Sequence, residues 1–171
     1  GVRENGGAYS HAAMWVAWAC ADLGWGDDAH ALFCMLNPVL RSDTPAKMEH
    51  YQVEPYVVAA DISGQAGRAG QGGWTWYTGS AAWMYRLGVE RILGLRRVGT
   101  AFQIDPCIPA SWPGYRIEYR YGRSAYRIDV HNPDGVSRGV REVHLDDAPL
   151  PDGRIPLIDD GATHSVQVWL G

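Results

Sequence analysis

The stretch Thr78-Gly79-Ser80-Ala81-Ala82-Trp83-Met84-Tyr85-Arg86-Leu87-Gly88-Val89-Glu90-Arg91-Ile92-Leu93-Gly94 divides the sequence. Ala81, Trp83, Met84, Leu87, Val89, Ile92 and Leu93 recur at helical spacing, and Gly94 supplies a stop, so the segment predicts a helix. Beyond Leu95 the texture changes to short alternating runs: 101–104, 115–119, 126–130, 141–145 and 164–169. Each reads as a strand with one wet face. Asp146-Asp147 and Asp152-Gly153 offer hairpin turns between them, and Pro133-Asp134-Gly135 another turn. Before Thr78, Ala13, Trp15, Val16, Ala19, Cys20 and Leu23 mark a helix from Ser10 to Gly24. A second helix is expected with Asp27 as its cap and Pro38 as its end, and a third opened by Thr44-Pro45. Residues 51–62 read as extended or loop, and the glycines from Gly64 to Gly73 as a flexible loop suited to a site. Helices followed by strands imply two layers or subdomains, divided here as 1–94 and 95–171, rather than a parallel α/β sheet.

The chain has 171 residues, 46% of them hydrophobic and 20% charged, enough to bury a core. Its net charge of -4 gives no general attraction to phosphate backbones or anionic lipid, so a nucleic-acid partner is not expected. No apolar run reaches the length of a membrane span. Cys20, Cys34 and Cys107 are odd in number and lack metal-ligand spacing, which points to buried, reduced thiols and a cytosolic setting rather than a disulfide framework or a metal site. Eight Trp and nine Tyr against two Phe make a ring population whose N–H and O–H groups can reach hydroxyls while the faces stack, a bias that suits carbohydrate. The sequence opens Gly1-Val2-Arg3 without Met and enters a helix by Ser10, so it reads as part of a longer chain.

Three segments combine polarity with helix ends or rings. In Asn5-Gly6-Gly7-Ala8-Tyr9-Ser10-His11, His11 falls in the first turn of a helix, where free N–H groups and the macrodipole favour an anion. The alternative is that Ser10 caps and His11 packs. In Gly72-Gly73-Trp74-Thr75-Trp76-Tyr77-Thr78-Gly79-Ser80, the Thr78 hydroxyl with the Thr78 and Gly79 amides could hold a phosphate or sugar oxygen, or the segment could be a helix start with core rings. In Tyr51-Gln52-Val53-Glu54-Pro55-Tyr56, Glu54 could bind hydroxyls or move a proton, or be a surface glutamate. Asp61, Asp105, Asp146-Asp147 and Asp159-Asp160 read as caps and turns. No Ser-His-Asp order, P-loop or dinucleotide fingerprint is present.

Taken together, Asn5-Gly6-Gly-x-x-x-His11, Tyr51-x-Val53-Glu54-Pro55-Tyr56, Gly73-Trp74-x-Trp76-Tyr77-Thr78-Gly79-Ser80-Ala81-x-Trp83 and Ile104-Asp105-Pro106-Cys107-Ile108-Pro109-x-x-Trp112 resemble glycoside hydrolase family 94, formerly glycosyltransferase family 36. Within it, the Trp-Thr-Trp-Tyr-Thr-Gly-Ser wording is most similar to the C-terminal phosphorylase-like domain of cyclic β-1,2-glucan synthases. The resemblance implies the terminal helices of an (α/α)6 barrel followed by a small antiparallel β-rich subdomain. It implies inverting phosphorolysis of a β-glucan to α-glucose 1-phosphate, with inorganic phosphate as co-substrate and no cofactor or metal.

By the same resemblance His11, Thr78 and Gly79 bind phosphate, while Glu54, Tyr56 and Trp76 meet the sugar. Val58 stands where cellobiose-type members often carry an aromatic residue. The general-acid Asp and a phosphate-binding Arg would lie upstream of Gly1, so the chain alone would be inactive and would need the upstream half of the same barrel. The intact protein would sit on the cytoplasmic side, as an inner-membrane enzyme if it is the synthase. Free-standing cellobiose or oligoglucan phosphorylases and a non-catalytic carbohydrate-binding module are the competing readings.

Overall fold

The structure, a computed structural model, describes residues 6–76 and 79–171. Among them, α1 (Ser10–Asp22), α2 (Gly26–Leu36), α3 (Pro45–Tyr51) and α4 (Ser80–Arg86) precede most of the strands. Two compact units emerge, Gly1–Leu23 with Asp28–Gly88, and Gly24–Asp27 with Val89–Gly171.

In the first unit, β1 (Gly7–Tyr9) pairs antiparallel with β2 (Asp61–Ser63), Tyr9 opposite Asp61. The sequence pattern missed both strands because three residues are too few to show alternation. Tyr9, not Ser10, is the N-cap of α1, without a side-chain cap bond; Ser10 is buried and its amide donates to Ala60 O at 2.9 Å. Asp27 likewise falls inside α2, which already starts at Gly26. Thr44 caps α3 as expected, its hydroxyl accepting from the Lys47 amide with Pro45 in the first turn.

The run expected as one helix over 78–93 begins at Ser80 and changes after Arg86 into a π-helical turn, Leu87–Ile92. Two features accompany the widened turn. Gly88 admits the Phe33 ring so closely that an added Cβ would lie 3.3 Å from it. The Cys107 amide donates to both Arg91 O and Ile92 O, at 3.0 and 3.1 Å. Trp15, Val16, Leu23, Met35, Val39, Leu40 and Met48 remain exposed, a large apolar surface for an all-polar solvent contact.

The second unit contains β3 (Leu95–Val98), β4 (Ala101–Ile104), β5 (Gly114–Tyr121), β6 (Ser124–His131), β7 (Val140–Leu145), β8 (Ala148–Pro149), β9 (Ile155–Pro156) and β10 (Thr163–Leu170). They form a five-stranded sheet in the order β5-β6-β10-β7-β8 and a three-stranded sheet β3-β4-β9. All five alternating runs are strands, and β6 buries every second residue as the pattern required. The sheet is mixed rather than purely antiparallel, because β10 lies parallel to β6, Val166 opposite Ile128. The chain leaves β6, makes β7 to β9, and re-enters the slot beside β6 in the same direction, so β7 pairs with the other edge of β10.

Asp146 and Asp147, both left-handed with φ of 49° and 65°, close the β7–β8 hairpin. Asp152-Gly153 does not close one, since β8 and β9 belong to different sheets. Phe102, Tyr126, Ile128, Val130, Ile155, Val166 and Val168 form the buried core of this unit, each contributing roughly 1.5–3 kcal/mol. Phe102 meets Tyr126 edge-on at 5.2 Å, and the buried Tyr126 hydroxyl donates to Pro156 O while accepting from the Ile158 amide.

Candidate functional site

One peptide organises the polar residues of the first unit. Ala60 O receives the Ser10 amide at the start of α1, while the Ala60 amide donates to Trp74 O at 2.6 Å. The helix end carrying His11 and the loop carrying Trp76 are thus both pinned to the chain entering β2. Gly73 N adds a bond to Asp61 O at 2.8 Å, and Gly72 bridges Ile62, so the loop runs as an irregular third strand beside β2.

The glycine-dense segment is packed rather than loose. A Cβ on Gly64 would sit 1.9 Å from Gly6 O, and one on Gly73 would sit 2.7 Å from both carboxylate oxygens of Asp61. These glycines mark places where backbone or carboxylate comes too close for a side chain. Asp61 itself, expected as a cap or turn, is 2% exposed on β2. Asp61 lines a small cavity of about 200 Å³ with Ser63, Arg68 and Gln71. The apolar neighbourhood Ala59-Ala60-Asp61-Ile62 was the signal for burial.

His11 lies in the first turn of α1, its ring edge-on to Trp15 at 4.7 Å and stacked on Trp83 at 5.5 Å with 24° between planes. Its Nε2 is buried and has no hydrogen-bond partner among the described residues. A buried imidazole nitrogen is costly to leave unmatched, so this atom is suited to a ligand oxygen. Trp83 belongs to α4, whose N-cap is Gly79; the Trp83 amide donates to Gly79 O at 3.1 Å. The N-termini of α1 and α4 therefore flank one indole. Gly79 is exposed with φ of -73°, and a Cβ there would meet only Trp83 Cδ1 at 4.0 Å, so neither backbone conformation nor crowding requires glycine. Thr78, the other residue assigned to phosphate, lies outside the described residues.

Glu54, Tyr56 and Trp76 come together. Trp76 Nε1–H donates to Glu54 Oε1 at 2.9 Å, and the Tyr56 and Trp76 rings meet at 6.3 Å and 68°. That indole bond is the leading cause that holds the Glu54 carboxyl below the usual carboxylate range. Trp76 is 72% and Tyr56 71% exposed, and Trp76 adopts a left-handed φ of 63°, a conformation costly for a bulky residue. Two exposed rings beside an oriented, ionised carboxylate can stack on an apolar sugar face and accept from its hydroxyls.

A larger cavity of about 640 Å³ lies among Cys34, Met35, Leu40 and Tyr51, apart from these residues, and its lining includes no carboxylate. Among the described residues no group of His, Cys, Asp and Glu could hold a metal ion, and no helix is long and apolar enough to cross a membrane.

Within the first unit the described residues set an unmatched imidazole nitrogen at the start of α1, and two exposed rings with an oriented carboxylate at Glu54, Tyr56 and Trp76. Residues 1–94 match the glycosyl hydrolase 94 superfamily catalytic domain, and the chain belongs to that family. It is 55% identical over 130 residues to the cyclic β-(1,2)-glucan synthase NdvB of Rhizobium meliloti (strain 1021), covering 76% of this chain and 5% of the synthase. It is 37% identical over 172 residues to the N,N'-diacetylchitobiose phosphorylase of Vibrio proteolyticus, covering 100% of this chain and 21% of the phosphorylase. It is 34% identical over 172 residues to the 3-O-β-D-glucopyranosyl-β-D-glucuronide phosphorylase of Paenibacillus borealis, covering 99% and 22%. The chain thus spans about a fifth or less of the length of these relatives.

Proposed function

We propose that this chain is the closing part of an (α/α)6 barrel with its β-rich C-terminal subdomain, and that the whole protein performs inverting phosphorolysis of a β-glucan. The observation that carries this reading is the orphaned, buried His11 Nε2 in the first turn of α1, next to the indole that links it to the Gly79 end of α4. A phosphate oxygen there would receive a hydrogen bond from the imidazole and favourable interaction with the helix end. Glu54, Tyr56 and Trp76 would hold the sugar on the acceptor side, and Thr78 with Gly79 would complete the phosphate cradle.

In the reaction, a phosphate oxygen forms a bond to the anomeric carbon from the face opposite the glycosidic oxygen, the glycosidic C–O bond breaks, and a carboxylic acid gives its proton to the departing oxygen. Bound phosphate takes the place of the base-activated water of an inverting hydrolase. The acid and a phosphate-binding arginine are contributed by the upstream half of the same barrel. Inorganic phosphate is the co-substrate and no cofactor is required. The linkage is β-1,2, supported by the 55% identity to a cyclic β-(1,2)-glucan synthase; the whole protein acts in cyclic glucan synthesis on the cytoplasmic side of the inner membrane.

The test uses the complete gene product with β-1,2-, β-1,3- and β-1,4-linked glucans, each with and without inorganic phosphate. Phosphate-dependent α-glucose 1-phosphate from the β-1,2 polymer is expected. β-Glucose 1-phosphate would overturn the inverting mechanism, product only from another linkage the substrate, and bound glucan without product the enzymatic reading.

A further inference from the structure

The Nε2 of His11 has no hydrogen-bond partner among the described residues, so no bond at that atom sets where it points. Nor does the torsion about Cβ–Cγ, which is broad for an imidazole. The ring is aimed by what packs against it. His11, Trp15 and Trp18 stand at i, i+4 and i+7 of α1 and share one face of that helix. Trp83 reaches this face from α4 and closes the motif that begins at Gly73. Its indole lies nearly parallel to the imidazole, with centroids 5.5 Å apart and 24° between planes. Trp15 meets the same imidazole edge-on, at 4.7 Å and 78°.

Trp83 is itself braced. Trp18 meets it edge-on at 5.6 Å and 76°, and Trp15 at 5.7 Å and 81°. The Arg86 guanidinium, one turn further along α4, lies 5.6 Å from the Trp83 centroid and 5.5 Å from that of Trp18. Two indoles and a cation therefore fix a third indole, and that one faces the imidazole. Trp83 is half-buried, so its ring does not serve the core alone.

We propose that Trp83 is a positioning residue for phosphate binding: its face sets the plane of the His11 imidazole and so the direction of Nε2, with Trp15 against the ring from the side. The inference rests on the reading of His11 as a phosphate ligand. With the aim set before phosphate arrives, binding spends nothing on reorienting the imidazole. Trp83 touches no reacting atom and acts through His11.

The test is a double-mutant cycle in the complete gene product, read as the KM for phosphate, the KM for β-1,2-glucan and Tm. Trp83→Leu should raise the phosphate KM about fivefold, as loss of an aromatic contact that aims a binding group would, with the glucan KM within about twofold. Trp83→Phe keeps a stacking face and should restore most of the loss. Trp15, 54% exposed, can be cut to Leu with little effect on folding, and Trp15→Leu should raise the phosphate KM about threefold; it carries the cycle if Trp83→Leu does not fold. In a His11→Asn background neither Leu variant should change the phosphate KM further, because the imidazole through which both act is gone. A merely structural role would move both KM values and persist in that background. Effects that add to that of His11→Asn, or an unchanged phosphate KM in the Leu variants, would overturn this inference and leave His11 as the phosphate ligand. An unchanged phosphate KM in His11→Asn itself would remove the phosphate reading and this inference with it.

Discussion

Gly73→Ala tests whether the loop between β2 and α4 is held by close approach to Asp61. The added Cβ would lie 2.7 Å from both Asp61 oxygens, against 3.4 Å for an ordinary contact, so loop and carboxylate must separate by about 0.7 Å. Asp61 is 2% exposed and cannot swing into solvent without cost, while Gly73 N is tied to Asp61 O at 2.8 Å and the next residue to Ala60 N at 2.6 Å. Overpacking of this kind costs about 1–3 kcal/mol, and the displacement passes along the backbone to Trp74 and Trp76. A misplacement approaching 1 Å can lower turnover about a hundredfold. Phosphorolysis kinetics and thermal unfolding of the complete gene product should therefore show kcat/KM falling at least about tenfold, with a lower Tm. A variant with wild-type kcat/KM and Tm would refute the claim that this approach positions the sugar platform.

Gly79→Ala probes the opposite case. Its Cβ meets only Trp83 Cδ1 at 4.0 Å, so stability should change by less than about 1 kcal/mol while the KM for phosphate rises, and an unchanged KM would show that no ligand approaches Gly79. Trp76→Phe keeps a ring but removes the donor to Glu54; the KM for the sugar should rise with that for phosphate unchanged, and the Glu54 carboxyl, followed by carbon NMR, should titrate higher than in the wild type.

His164, 6% exposed, places Nδ1 2.8 Å from Asp146, and that bond is the leading cause that raises its pKa above the ordinary 6.5. The protonated form is therefore favoured in the fold: its stabilisation is fully present below about pH 6.5 and is lost as pH rises through the folded value. With Asp146 half-exposed the gain is about 1 kcal/mol. Melting of the wild type should fall between pH 6 and pH 9, and His164→Gln should flatten that slope; equal slopes would remove His164 from the account.

The strands after Leu95 were legible because one-sided burial prints itself as alternation, and β6 and β10 show it residue by residue. Partner choice leaves no such print, which is why the parallel pairing of β10 with β6 could not be read from Gln167 or Val168. Thr44-Pro45 announced its helix through local chemistry alone, whereas Asp27, expected as a cap, lies one residue inside its helix, since a capping side chain can equally sit there. Asp61 was expected as a cap or turn from its residue type, although the apolar run Ala59-Ala60-Ile62 around it signalled burial; the structure seats it on β2 opposite Tyr9 and against Gly73. The grouping of Glu54 with Trp76 spans 22 positions and became visible through family resemblance before geometry showed the bond.

The central claim is that the His11 end of α1 receives phosphate. The direct measurement is the steady-state dependence of α-glucose 1-phosphate formation on phosphate and on β-1,2-glucan for the complete gene product and its His11→Asn variant, which loses the imidazole nitrogen beside Trp83. A KM for phosphate raised at least about tenfold, with the KM for glucan within about twofold, is the predicted result, as loss of a hydrogen bond to a charged group would give. Unchanged phosphate dependence in an active, folded variant would contradict the claim.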